Sequence, residues 1–354
     1  MLIRGGVVKS GVSYEASAAD AELARRASAA GACRVSPRQV WRWRRLGLIP
    51  APTRRFLGRA HGSRSEYPEG TIELVAAIAQ ALREVHRLDD VALALFADGW
   101  PIDLRLVRRI VIRRVIGLTQ RVTTLGGDSD DWSDRVERAG LAIRRDAGLV
   151  TLTSMFRSNL RTRGSRSPEA LLSAINDWIL IFTHTDAGTI EQPGDSLLKA
   201  MGLEGTSIPL PRRQLLGAMT ADHVTRIVMD APDRHLLLAR DGARLFLDEF
   251  DRLATAIIDS GSVRRMYGLR GEEMMRRDRA TFNTASGGIA RASLVLAMLL
   301  VLDLAGESKF RDTIVSTSLL LHLVRTSQTG GELELQRMVS DFDRLEISLR
   351  ESVS

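Results

Sequence analysis

The sequence predicts a mainly α-helical protein: a small basic N-terminal domain with one short β excursion, a linking helix, and a large all-helical remainder. Three observations predict it. Apolar residues recur at steps of three and four through most of the chain, and strand-like patterning is confined to one stretch near residue 60. The window from Leu23 to Ser65 holds eleven arginines and neither Asp nor Glu, although the 354 residues include 43 acids. Residues 1–125 carry 21 basic and 11 acidic side chains, against 29 and 32 in the rest. A charge split of this kind points to a nucleic-acid-facing part joined to something else.

Composition sets the outer bounds. The length allows two or three domains, each able to bury a core, and an apolar fraction of 44% with 26% charged residues is ordinary for a globular chain. Lysine occurs only at positions 9, 199 and 309. A GC-rich genome would favour arginine equally, so the distribution of arginines carries more meaning than their number. Cys33 is the only cysteine, which excludes an intrachain disulfide and a multi-thiolate metal site and makes a reducing cytoplasm the expected compartment. Cys33 itself reads as a small half-buried residue in a turn. The start, Met1-Leu-Ile-Arg-Gly-Gly-Val-Val, lacks the apolar core of an export signal. The greasiest run, Ala292 to Leu302, is about half of the ~20 residues a membrane helix needs and reads as a buried helix.

Residues 1–18 are small and polar and read as a loose arm; 19–100 form the basic domain, 101–127 the linking helix and 128–354 the helical remainder. A helix rich in Ala, Leu and Arg runs from Asp20 to near Gly31. A second begins at Ser36, an N-cap, with Pro37 at the first helical position where its missing N–H costs nothing, and ends before Gly47. Two short helices joined by a turn, the second rich in arginine, read as a helix-turn-helix. Pro50 and Pro52 forbid continuation, and Arg54 to Tyr67, with Gly58 and Gly62, reads as a two-stranded wing. Helical spacing resumes over Glu69–Val85 and Asp89–Phe96.

Asp103 then caps a helix in which Leu104, Val107, Val111, Val115, Leu118, Val122 and Leu125 recur at steps of three and four. This seam is read as a dimerisation face, with packing inside its own chain as the alternative. Beyond a linker at Gly126 to Asp131, helices are expected at Ser133–Ala147, Pro168–Thr183, Arg212–Val228, Arg234–Ser260, Gly271–Thr284, Ile289–Leu304, Phe310–Thr326 and Glu332–Leu349. The segments Asn159–Ser167 and Gly188–Pro211 are read as loops.

The segment Ser36-Pro-Arg-Gln-Val-Trp-Arg-Trp-Arg-Arg-Leu-Gly-Leu-Ile-Pro50, followed by Arg64-Ser-Glu-Tyr67 and the helix from Glu69, resembles the MerR-type winged helix-turn-helix regulators. The resemblance spans roughly Glu22 to Phe96, and its most specific part is the Gly47-Leu-Ile-Pro50 corner after a capped aromatic helix. Three departures stand beside it: about three extra residues between Gly31 and Val35, Trp41 where the family has an arginine, and two residues rather than one between Arg64 and Tyr67. The resemblance implies a homodimer on an inverted repeat of double-stranded DNA.

The recognition helix would turn Arg38, Gln39, Arg42 and Arg45 toward DNA, since steps of three and four share a face. Arg38 and Gln39 are the expected base readers, because Arg pairs with guanine O6 and N7 and Gln with adenine. Val40, Trp43 and Leu46 would face the core, Trp43 with a phosphate contact as its alternative; Trp41 would face either the wing or the DNA backbone. Arg54, Arg55, Arg59 and Arg64 would grip phosphates or enter a minor groove. With Ser36 at the cap and Tyr67 at the wing, these residues complete the expected DNA surface.

Enzymatic motifs are absent from the sequence: it has no phosphate-binding Gly-rich loop, no His-Glu-x-x-His and no Gly-x-Ser-x-Gly, so no catalytic residues, metal or cofactor are expected. His184, His223 and His235 are the only histidines that a catalytic reading could use. Met266, Met274, Met275 and Met298 could line an effector pocket in the helical half, with core filling as the alternative. The expectation is a cytoplasmic, sequence-specific transcriptional regulator with no membrane attachment, whose helical half senses a small molecule or binds a protein. The alternative is a DNA-binding adaptor or architectural protein of phage or plasmid type.

Overall fold

The computed structural model describes residues 17–31, 33–58, 62–127, 131–143, 160, 167–183, 195–200, 216–261, 264–265, 269, 272–273, 276, 279 and 288–317. These residues are mainly helical, with a single two-stranded antiparallel sheet among them. None of the described helices is long and apolar enough to cross a membrane. The expected arm up to residue 16, Arg59, and the helices expected at Glu332–Leu349 and over most of Gly271–Thr284 lie outside the described residues.

The chain divides into two compact units, and the division does not follow the boundaries expected at 100 and 127. The first runs to Val107 and takes in Glu273–Ala292; the second comprises Arg108–Glu272 and the chain from Ser293.

In the first unit, α1 (Ala18–Ala30) starts at Ser17, whose hydroxyl accepts from the Asp20 N–H at 3.0 Å. Helix α2 (Pro37–Leu46) is fixed at both ends. The Ser36 hydroxyl and the Gln39 side chain satisfy each other's backbone N–H groups in a capping box, and Gly47 closes the other end at φ +84. Its N–H bonds back to Arg44, and that of Leu48 reaches the Trp43 carbonyl at 2.9 Å. A side chain at Gly47 would be strained by that φ and would also press on Asp103.

Strands β1 (Thr53–Gly58) and β2 (Gly62–Glu66) form the hairpin. Helices α3 (Thr71–Glu84) and α4 (Leu88–Ala97) follow; α1 packs on α2 and α3, and α3 on α4. Leu23, Ala27, Val40, Trp43, Leu74, Val75 and Ile78 are buried here.

Helix α4 is buried at every residue from Val91 to Ala97, so it needs cover on more than one side. Part of that cover comes from far along the chain. Gly288 sits so close to Ala94 that an added Cβ would overlap its backbone, and Arg291 makes a two-pronged ion pair with Asp98 at 2.7 and 3.1 Å.

Helix α5 (Leu104–Gly126) begins at Asp103, whose carboxylate accepts from the Arg105 N–H at 2.9 Å. Its apolar seam is covered in part by its own chain. Val107, Val115 and Val122 are buried, and Leu118 and Leu125 pack against the core of the second unit, while Leu104 and Val111 are half-buried. Packing inside its own chain therefore accounts for Val107, Val115 and Val122, while Leu104, Val111, Leu118 and Leu125 keep partial exposure along the same seam.

The second unit continues with α6 (Trp132–Ile143), α7 (Pro168–Thr183) and α8 (Asp195–Ala200), which pack in that order. Val136, Ala139, Leu171, Ile175, Ile179 and Leu197 form the core that receives Val122. Helix α8 falls inside the stretch expected to be a loop. Its cause is visible: Leu197 and Ala200 bury, and Asp177 accepts the Leu197 N–H at 3.2 Å. Helices α9 (Ala221–Asp230), α10 (Asp233–Asp259) and α11 (Gly288–Ala305) complete the elements, with further helical residues at 307–317 beyond a break at Gly306, where φ is +80.

Arg108 closes the C-terminal end of α9. It donates to the carbonyls of Val228 at 2.5 Å, Met229 at 3.3 Å and Ala231 at 2.7 Å, and to the Asp233 carboxylate at 2.7 Å. A guanidinium at a helix C-terminus both fills the unpaired carbonyls and meets the negative end of the dipole. Arg108→Lys keeps the charge but loses the planar fork, and is expected to cost about 2 kcal/mol in urea unfolding. A loss below about 0.5 kcal/mol would mean that water replaces the fork at no cost.

Candidate nucleic-acid interface

The surface begins with the way α2 divides its side chains. Val40 and Trp43 are buried, while Arg38, Gln39, Arg42 and Arg45 are exposed. Among the described residues no ion pair engages Arg38 or Arg42. Arg45 lies over the half-buried Trp41 ring at 5.0 Å, a cation–π contact that steadies both side chains. Three arginines at steps of four and three therefore stand together on one solvent-facing stripe.

Three expected roles are changed by this arrangement, and one alternative is removed. Gln39 Oε1 accepts from the Ser36 N–H at 2.8 Å and from the Ser36 hydroxyl at 3.0 Å, so the cap occupies the oxygen that paired adenine recognition requires. Ser36 is committed to the same cap. Trp43 is core, leaving no indole N–H for a phosphate, and Leu46, expected in the core, is exposed because the Gly47 turn carries the chain away from it.

Tyr67 also leaves the DNA surface. Its hydroxyl donates to Asp20 at 2.5 Å, and Arg44 reaches the other Asp20 oxygen at 3.4 Å. Asp20 is wholly buried, so this triad ties α1 to α2 and to the chain just after the hairpin. Burial, reinforced by the adjacent Asp20 carboxylate and opposed by Arg44, holds the Tyr67 phenol well above its ordinary pKa. The acid-free window thus has its one buried counter-charge outside the window, on Asp20, which uses up Arg44, while exposed Glu22 and Glu66 pair with Arg25 and Arg64.

The hairpin register sets the remaining arginines. Arg55 pairs directly with Arg64, Arg54 with Ser65, and Phe56 with Ser63. Directly paired residues share a face, so Arg55 and Arg64 stand side by side. Like charges in that position are destabilising unless an anion lies over them. Glu66, 3.4 Å from Arg64, is an exposed and weakly placed partner. On the other face Arg54 Nε donates to the Ser63 hydroxyl at 2.6 Å, beside Phe56, which is 70% exposed. Phe56 was not among the residues expected at this surface. Its signal in the sequence was a large apolar residue within a short, otherwise polar and basic strand.

The histidines named for a catalytic reading are placed differently. His223 lies 3.5 Å from Asp303, and His235 lies 3.5 Å from Glu307, both pairs partly exposed; His184 is outside the described residues. Among the described residues no group of three or more His, Cys, Asp or Glu is placed to hold a metal ion. Of the four methionines read as pocket candidates, only Met298 is described, and it is half-buried.

Burial holds His223 below its ordinary pKa; Arg226, 3.0 Å from its ring, acts in the same direction and Asp303 opposes. A depressed folded-state value means that the unfolded chain takes up the proton first. Stability from this site is therefore present above about pH 6.5 and is lost as the pH falls through the folded-state value. The melting temperature is expected to drop between pH 7.5 and 5.5, and less so in His223→Gln. An equal drop in the two proteins would remove His223 as its source.

Compared with known protein families, with curated proteins and with solved structures, the chain finds no match in any of the three.

Proposed function

We propose that the protein is a sequence-specific DNA-binding transcriptional regulator whose first unit reads DNA in the manner of a MerR-like winged helix-turn-helix. The observation that carries this reading is the exposed arginine stripe of α2, Arg38, Arg42 and Arg45, set on a helix whose opposite face is anchored by Val40 and Trp43. A helix held rigidly at both ends, with side chains able to pair with base edges near its start, suits entry into a major groove. The paired Arg55 and Arg64 of the hairpin supply a second site for the phosphate backbone.

Arg38 is the base reader in this proposal, and Arg42, Arg45, Arg55 and Arg64 position the duplex. The second unit, a helical body with its own core, is available for a regulatory input or a partner. The proposal has one reading head per chain, and the resemblance adds two chains on an inverted repeat.

The test is selection of binding sites from random duplex DNA by the wild-type protein and by Arg38→Ala, with the selected sites then located relative to promoters. The wild type should enrich one sequence and the variant should lose preference at one position of it. Identical enrichment and affinity for both proteins would overturn the assignment of α2. Sites scattered away from promoters would favour the adaptor or architectural role instead.

A further inference from the structure

We propose that Phe56 is a wedge: with the hairpin in the minor groove, its ring enters a base step, unstacks it and bends the duplex. This rests on the DNA-binding reading above and assigns a residue and a mode of action that the reading does not contain.

Among the described residues Phe56 is the most exposed of the large apolar side chains. A single exposed apolar residue is ordinary on a protein surface. The setting of this one is not. Among the described residues its face of the hairpin carries Arg54, Ser63 and Ser65 beside it, so the small side chain of Ser63 lies across from a ring that is 70% exposed. Arg54 is held to Ser63 at 2.6 Å, which keeps a cation alongside the ring. The register shifts between Phe56 and Gly58, and such an irregularity twists a strand and re-aims its side chains at the tip.

An apolar ring with an arginine on its own face and two more on the opposite face of a narrow ribbon matches the chemistry of minor-groove deformation. The groove's negative potential draws arginine, and an apolar side chain inserted at a flexible step opens it and kinks the axis. A lipid surface is the competing partner for a basic, aromatic-bearing hairpin. One ring offers little area for insertion, whereas lipid binding scales with buried apolar area.

The experiment uses the full chain and a duplex carrying the selected sequence, labelled at both ends so that energy transfer reports bending and anisotropy reports affinity. The wild type should bend the duplex by about 20–90°. Phe56→Ala should still prefer the same sequence, bind it roughly ten-fold more weakly and leave it straight, with an unchanged salt dependence because no phosphate contact is lost. Phe56→Leu should restore most of the bend. At 70% exposure the side chain contributes little to folding, so equal melting temperatures check that the variants are folded.

If Phe56→Ala binds and bends as the wild type does while Arg38→Ala loses selection, the wedge is wrong and the DNA-binding reading stands. If the wild type enriches no duplex, both fail. Binding to phosphatidylserine vesicles that Phe56→Ala abolishes, without any effect of that variant on DNA, would overturn the wedge in favour of a lipid partner.

Discussion

Asp20→Ala is expected to lower the stability of the N-terminal unit by about 3 kcal/mol, and Asp20→Asn by about half as much. The wild-type carboxylate is wholly buried and takes the Tyr67 hydroxyl at 2.5 Å and the Arg44 guanidinium at 3.4 Å. Truncation leaves the half-buried phenol without an acceptor and strands a cation that had been paired. Arg44 retains partial access to solvent and can turn outward, which keeps the cost at the low end of what breaking a buried pair exacts. Asn can still accept from Tyr67, so it should lose the charge term and little else. Asp20 also lies in the first turn of α1, where a negative charge meets the positive end of the helix dipole. Urea unfolding followed by tryptophan fluorescence gives the ranking. If Ala and Asn cost the same, the hydrogen bond from Tyr67 contributes nothing and the ion pair alone accounts for the loss.

That triad shows where sequence reasoning stops. The ends of α2 are local codes: Ser36 with Gln39 three residues on, Pro37 at the first position and Gly47 past the last turn can each be read within a dozen residues, and the structure uses all of them. The partnership of Asp20 with Tyr67 spans 47 positions and leaves no local trace. Reading Tyr67 as a DNA contact followed from its place on the hairpin, and the structure gives it instead to the nearest buried acid. Gly288 is likewise silent in the sequence. A glycine opening an apolar helix looks like a boundary, and only the backbone of Ala94 against it reveals a close approach. The six residues of α8 are too few for a helical period to register.

The α5 seam is open to two readings for a different reason. A stripe of apolar residues at steps of three and four states that a helix has a face to bury, but not against what. Period alone cannot separate a coiled-coil seam from the inner face of an ordinary core helix over so few turns. Here the partners are residues such as Ile175 and Leu171, far downstream in the chain. The same ambiguity did not arise on α2, because arginines on one face and Trp43 with Val40 on the other leave a single way to place the helix against a core.

Removing Arg38 and removing the positioning arginines should weaken DNA binding in two different ways, and the difference tests how the surface is divided. Arg38→Ala should cost about 1–3 kcal/mol on the selected sequence and little on random duplex, because one base-edge contact is lost. The double variant Arg42→Ala, Arg55→Ala should weaken both duplexes alike and make the slope of log K against log salt shallower by about 1.8, at about 0.9 per phosphate contact. Neither change should unfold the chain, since all three side chains are exposed. Arg55→Ala should even leave the hairpin slightly more stable, because it relieves the direct opposition to Arg64. A cationic pair that costs stability in the free protein and gains binding on DNA is what an anion-gripping hairpin requires. Titrations at several salt concentrations on both duplexes decide it. A double variant with the wild-type slope would show that Arg42 and Arg55 face solvent in the complex, and the arginine-rich window would then owe its composition to the genome and not to a phosphate partner.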